Sequence, residues 1–80
     1  MNNDADPPHE QPVTAWVGKG GVETAIDEVK TQLADREYVK VRFHRSGLAG
    51  EAVEDVAATL AAETGATLVD VRGRTAVFEA

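Results

Sequence analysis

The stretch Trp16-Val17-Gly18-Lys19-Gly20-Gly21-Val22 decides how the rest of the chain is read. An apolar approach from Pro12 to Val17 meets three glycines and a lysine, and an amphipathic run begins near Val22. Strand, glycine turn and helix in that order place bare backbone N–H groups and a helix N-terminus where an anion can sit. Glycine also admits close approach of a sugar–phosphate backbone, because no Cβ stands in the way. Such turns also occur in folds that bind nothing there, so the structural reading stands beside the functional one at this point.

Upstream, residues 1–12 are polar, carry all three prolines, and hold Asp4, Asp6 and Glu10 without a single Lys or Arg. They read as a disordered acidic leader to one domain spanning 13–80. Val13 to Val17 reads as a short strand, with Val13, Ala15 and Val17 on one face and Thr14 and Trp16 on the other. Trp16 reads as a core or half-buried aromatic rather than a stacking platform.

Downstream, Val22, Ile26, Val29 and Leu33 form an apolar stripe at helical spacing. No Ser or Thr cap marks where that helix starts. Tyr38 to His44 alternates: Val39, Val41 and Phe43 face one way, Tyr38, Lys40, Arg42 and His44 the other. After a loop over Arg45 to Gly50, Val53, Val56, Ala57, Leu60 and Ala61 make a second stripe, which Thr64-Gly65 ends. Thr67 to Arg72 and Thr75 to Glu79 read as a hairpin joined through Gly73-Arg74, which suits a type II′ turn. The order β-α-β-α-β-β gives an α/β (α+β) two-layer sandwich with a mixed four-stranded sheet.

Eighty residues allow one domain with a modest core. With no cysteine there is no disulfide framework or thiolate site, and neither His9 nor His44 suggests a metal. No apolar run is long enough to span a membrane, so a cytoplasmic monomer is the default expectation. The glycine stretch is neither a Walker loop nor a dinucleotide fingerprint, and no nucleophile–base pair stands out. Neither an enzyme nor a cofactor is expected.

The net charge of −6, from 14 acids and 8 bases, argues at face value against nucleic acid. Its distribution reverses that. The leader supplies −3, and the other −3 comes from eleven acids against eight bases in residues 13–80. Acids gather on the helices, while Lys19, Lys40, Arg42, Arg72 and Arg74 fall on the strands and loops. With both helices on one face of the sheet, Lys40 and Arg42 are left on the open face with Tyr38 and, as an alternative to its place in the core, Trp16. Each base alone also reads as ordinary solvated surface.

Several motifs together resemble the YhbY-like family, which carries the CRM (chloroplast RNA splicing and ribosome maturation) domain. They are the opening stretch, Ala25-Ile26-Asp27-Glu28-Val29, Tyr38-Val39-Lys40-Val41, Glu63-Thr64-Gly65-Ala66, and Val69-Asp70-Val71-Arg72-Gly73-Arg74-Thr75-Ala76-Val77. The resemblance implies an RNA-binding domain related to the C-terminal domain of translation initiation factor 3. It also implies a Gly-x-x-Gly loop, here Gly18-Lys19-Gly20-Gly21, that clamps RNA backbone as in KH domains. The RNA partner so implied is structured and ribosomal, in large-subunit precursors. The expected RNA-binding residues are Gly18, Lys19, Gly20, Gly21, Lys40, Arg42, Arg72 and Arg74. In place of the family's usual basic N-terminal helix stands the acidic leader, and the body is more acidic than is typical. Two readings of that acidity follow: adaptation to a high-salt interior, or a protein-interaction module of a ribonucleoprotein complex that binds little RNA itself.

Overall fold

The structure, a computed structural model, describes residues 7–80. Four strands, β1 (Val13–Val17), β2 (Tyr38–Phe43), β3 (Thr67–Arg72) and β4 (Thr75–Glu79), form one sheet in the order β1-β2-β4-β3. The helices are α1 (Ile26–Asp35) and α2 (Val53–Thr64). β1 pairs with β2 in parallel, across the crossover that α1 supplies. β4 lies antiparallel to both β2 and β3. The connection through α2 therefore carries the chain past a gap that β4 then fills. The mixed sheet and two-layer α+β architecture are those expected from the hydrophobic pattern.

The core lies between the sheet and the two helices. Val39, Val41 and Phe43 from β2, Ala76 and Phe78 from β4, and Ala15 and Val17 from β1 meet Val29 of α1 and Val56, Ala57, Leu60 and Ala61 of α2. Burying a Leu, Val or Phe side chain stabilises by about 1.5–3 kcal/mol each, so this cluster is the main support of a small fold. Gly65 ends α2 in the left-handed conformation (φ 73°, ψ 15°), where a Cβ would be strained. Gly73 has φ 57° while Arg74 does not take a positive φ, as a type II′ hairpin turn requires.

Three local features depart from the sequence-based expectation. The apolar stripe from Val22 does not start an α-helix there. Val22–Thr24 is a 3₁₀ turn, and α1 begins only at Ile26. No side chain caps either element, so nothing in the sequence fixes the start of α1 at the glycines. In β1 the pairing slips between Val13 and Ala15. Val13 is matched with Lys40 and takes no part in the core, while the Thr14 hydroxyl donates to Oε1 of Gln32 on α1. A bulge thus breaks the strict alternation expected across Val13, Ala15 and Val17. Trp16, expected in or near the core, is 55% exposed. It points to the side of the sheet that neither helix covers.

The expected leader has two parts. Residues 1–6 lie outside the described residues. Pro8–Glu10 forms a 3₁₀ turn, Gln11 is buried, and the Lys40 ammonium donates to the His9 carbonyl at 3.0 Å. Residues 8–11 therefore lie against the open face. Val77 points to that face and is buried there, outside the helix-side core.

Candidate nucleic-acid interface

The glycine stretch folds into a β-turn, closed by the Gly21 N–H donating to the Gly18 carbonyl at 2.8 Å. Gly20 does not have positive φ, which excludes a type II turn and leaves Lys19 and Gly20 as the exposed central residues. Their N–H groups take no part in the hydrogen bond that closes the turn. The glycines are there for different reasons. Gly21 sits at φ 76°, ψ −173°, a region essentially confined to glycine. A Cβ on Gly20 would collide with the Thr24 methyl group at 2.4 Å, and Thr24 is held by its own hydroxyl donating to the Gly21 carbonyl. A Cβ on Gly18 would meet only His44 Cδ2, at an ordinary 3.9 Å. Nothing inside the protein requires glycine at position 18.

The turn leaves the C-terminal end of β1, and His44 leaves the same end of β2, with its N–H donating to the Val17 carbonyl at 2.8 Å. The β3–β4 hairpin reaches that end too, because the Phe43 N–H donates to the Arg74 carbonyl at 2.7 Å. One row of paired residues on the open face therefore runs across all four strands beside the turn. Trp16 pairs with Arg42, Arg42 with Thr75, and Thr75 with Arg72. Three strand spacings make that row about 14 Å wide. Trp16, Arg42 and Arg72 are exposed, and Arg74 stands beyond the row at the hairpin tip. Arg72 Nε is 3.4 Å from Asp70 Oδ2, a loose surface pair that leaves its other donors available.

The expected residues thus divide. Gly18, Lys19, Gly20, Gly21, Arg42, Arg72 and Arg74 meet at one end of the sheet. Lys40 lies two residue pairs further back, half-buried, with its ammonium bonded to the His9 carbonyl. Trp16, Thr75, His44 and Arg45 join the exposed end although they were not among the expected contacts. The pairing of the alternating strands was the signal that could have placed Trp16 beside Arg42.

The opposite side of the glycine turn is different in kind. There a shallow cleft of about 190 Å³ lies between the turn, the loop before α2, and α2 itself. Its lining includes Glu23 and Glu51 and no Lys or Arg, so a phosphate would be repelled from it. Asp27, Glu28, Glu54, Asp55 and Glu63 are exposed on the helices. Electrostatics favours the open face for a polyanion. Among the described residues no group of three or more His, Asp or Glu could hold a metal ion, and no helix is long and apolar enough to cross a membrane.

Comparison with known proteins places the chain in a family. The sequence pattern of the CRS1 / YhbY (CRM) domain matches residues 8–78. The chain is 40% identical over 65 residues to Probable RNA-binding protein MJ0652 of Methanocaldococcus jannaschii, an alignment covering 81% of this chain and 48% of the relative. The chain therefore spans about half the length of that curated relative. The solution structure of SAV1595 from Staphylococcus aureus, described as a candidate RNA-binding protein, superposes with a TM-score of 0.71 at 29% identity. That match covers 89% of this chain and 73% of the other.

Proposed function

The chain belongs to the CRS1 / YhbY (CRM) domain family, and from that premise we propose that it is a non-catalytic RNA-binding protein. It holds structured ribosomal RNA, in the cytoplasm, during maturation of the large ribosomal subunit. The Gly18–Gly21 turn receives the RNA backbone, and Lys19, Arg42, Arg72 and Arg74 contact its phosphates. Lys40 lines the rear of the same surface.

One observation carries the reading. In a chain of net charge −6, the exposed arginines of β2, β3 and the hairpin gather beside a glycine turn whose central residues, Lys19 and Gly20, are exposed. Neutral packing gives no reason for that sorting, and a polyanionic ligand does. Phosphate contacts of this kind position RNA without reading its bases.

The test is an NMR titration of the labelled protein with a large-subunit ribosomal RNA fragment. Shifts concentrated at residues 18–22, 40–42 and 72–74 are expected. The second reading, a protein-interaction module, is favoured by the acidic helix face. It prevails if a folded protein shows no shifts in dilute or in molar KCl.

A further inference from the structure

We propose that Trp16 is a stacking platform for an unpaired base next to the RNA segment that the glycine turn holds. The inference rests on the RNA-binding reading above and gives it a substrate class: structured RNA flanked by, or interrupted by, a single-stranded nucleotide. Tryptophan usually finds cover in a folded protein, yet Trp16 keeps 55% of its surface in solvent. It is one of two large apolar side chains so exposed among the described residues, and Val69, the other, lies on the far edge strand.

The surroundings of Trp16 narrow what could cover it. Its paired neighbour is Arg42, and Thr75 and Arg72 complete the row. An apolar partner would have to desolvate those guanidinium groups, whereas a nucleotide satisfies both chemistries, base on indole and phosphate on arginine. Trp16 is also only two residues before Gly18, about 7 Å along the strand. Adjacent nucleotides can therefore reach the turn and the indole together.

A paired nucleotide cannot use this platform. In an A-form helix the base faces are stacked on one another, and only an unpaired base can be splayed onto an aromatic ring. Selection for an unpaired site then follows from the indole, while the glycine turn and arginines bind backbone of either kind.

The experiment uses the intrinsic emission of the full chain, in which Trp16 is the one tryptophan. Two labelled RNAs are compared, a blunt duplex without a loop and the same duplex with an unpaired overhang, and anisotropy reports binding independently of fluorescence. The overhang RNA is expected to quench the emission and the blunt duplex to leave it unchanged at saturation. Trp16→Ala is expected to lose about 5- to 150-fold in affinity for the overhang RNA and little for the blunt one. Trp16→Phe, which keeps a ring, recovers most of the loss and shows that the alanine effect is not misfolding. Saturation by the overhang RNA without quenching, or equal loss of both RNAs in Trp16→Ala, overturns the platform and leaves the RNA-binding reading standing. Anisotropy that shows neither RNA bound overturns both. Emission that shifts with protein concentration alone assigns the indole to a second copy of the chain and also overturns the platform.

Discussion

Gly47 is packed against the backbone of Gly18: a Cβ on Gly47 would stand 2.7 Å from the Gly18 carbonyl oxygen, 2.8 Å from that of Val17 and 2.9 Å from Val17 Cγ1. The 3₁₀ turn Arg45–Gly47 is thus stacked on the end of β1, where the glycine turn begins. Two of the three contacts are main-chain oxygens, which cannot swing aside as a side chain would.

Gly47→Ala is therefore expected to destabilise the domain by about 1–3 kcal/mol, the usual cost of overpacking a tight site. In a domain of this size each kcal/mol lowers Tm by about 4–8 °C. Thermal unfolding measures it, and the amide shifts of residues 18–21 should move as well. An unchanged Tm would mean that β1 and the loop can part without cost.

Gly18 and Gly21 should respond in opposite ways to alanine. At Gly21 the backbone conformation is nearly closed to any residue with a Cβ, so Gly21→Ala should cost about 1–3 kcal/mol. A Cβ at Gly18 makes only an ordinary contact with His44 and φ there is not positive, so Gly18→Ala should keep stability within about 0.5 kcal/mol. Gly18→Ala is thus the clean probe of close RNA approach. Chemical denaturation separates the two, and equal destabilisation would contradict the steric account.

Most of the fold was legible because alternation and helical stripes report which face each residue buries. Val39, Val41 and Phe43 read correctly because the strand is central, paired on both sides, and one of its faces is wholly buried under the helices. β1 is a five-residue edge strand, and a single slip at Thr14 changed the partner of Val13 without altering its pattern of residue types. The exposure of Trp16 was illegible for another reason. Its burial depends on whether anything covers the open face, and residues 8–11 lie against the part around Val77 and Lys40 but leave the indole uncovered. The same contact, remote in sequence, separates Lys40 from the arginines it was grouped with.

Gln32 is the residue that fastens the irregular edge strand. Its Nε2 lies 2.8 Å from the Thr14 carbonyl and 2.7 Å from Glu28 Oε2, and its Oε1 accepts from the Thr14 hydroxyl. A side-chain amide thus supplies α1-to-β1 bonding where the bulge interrupts the ladder. Gln32→Ala should cost about 1–2 kcal/mol, since the site is only partly buried. Hydrogen exchange should show faster opening of β1 than of β4. Uniform protection across the sheet in the variant would show that the amide contributes nothing particular to the edge.

Salt should raise the stability of this protein while weakening part of its RNA affinity. Asp27, Glu28, Glu54, Asp55 and Glu63 are exposed on the same two helices, in a chain of net charge −6. Their mutual repulsion works against the compact state. At molar KCl the Debye length falls to about 3 Å, which removes most of that repulsion. Tm should therefore rise from dilute buffer to molar KCl. Phosphate contacts should move the other way: Lys19, Arg42, Arg72 and Arg74 on structured RNA give a slope of about −3 to −4 in log affinity against log salt. Stacking on Trp16 carries no such dependence, so the difference between wild type and Trp16→Ala should survive in molar KCl. Equal Tm in both buffers would sink the repulsion argument, because nothing else about the acidic helix faces would then distinguish them from ordinary solvated surface.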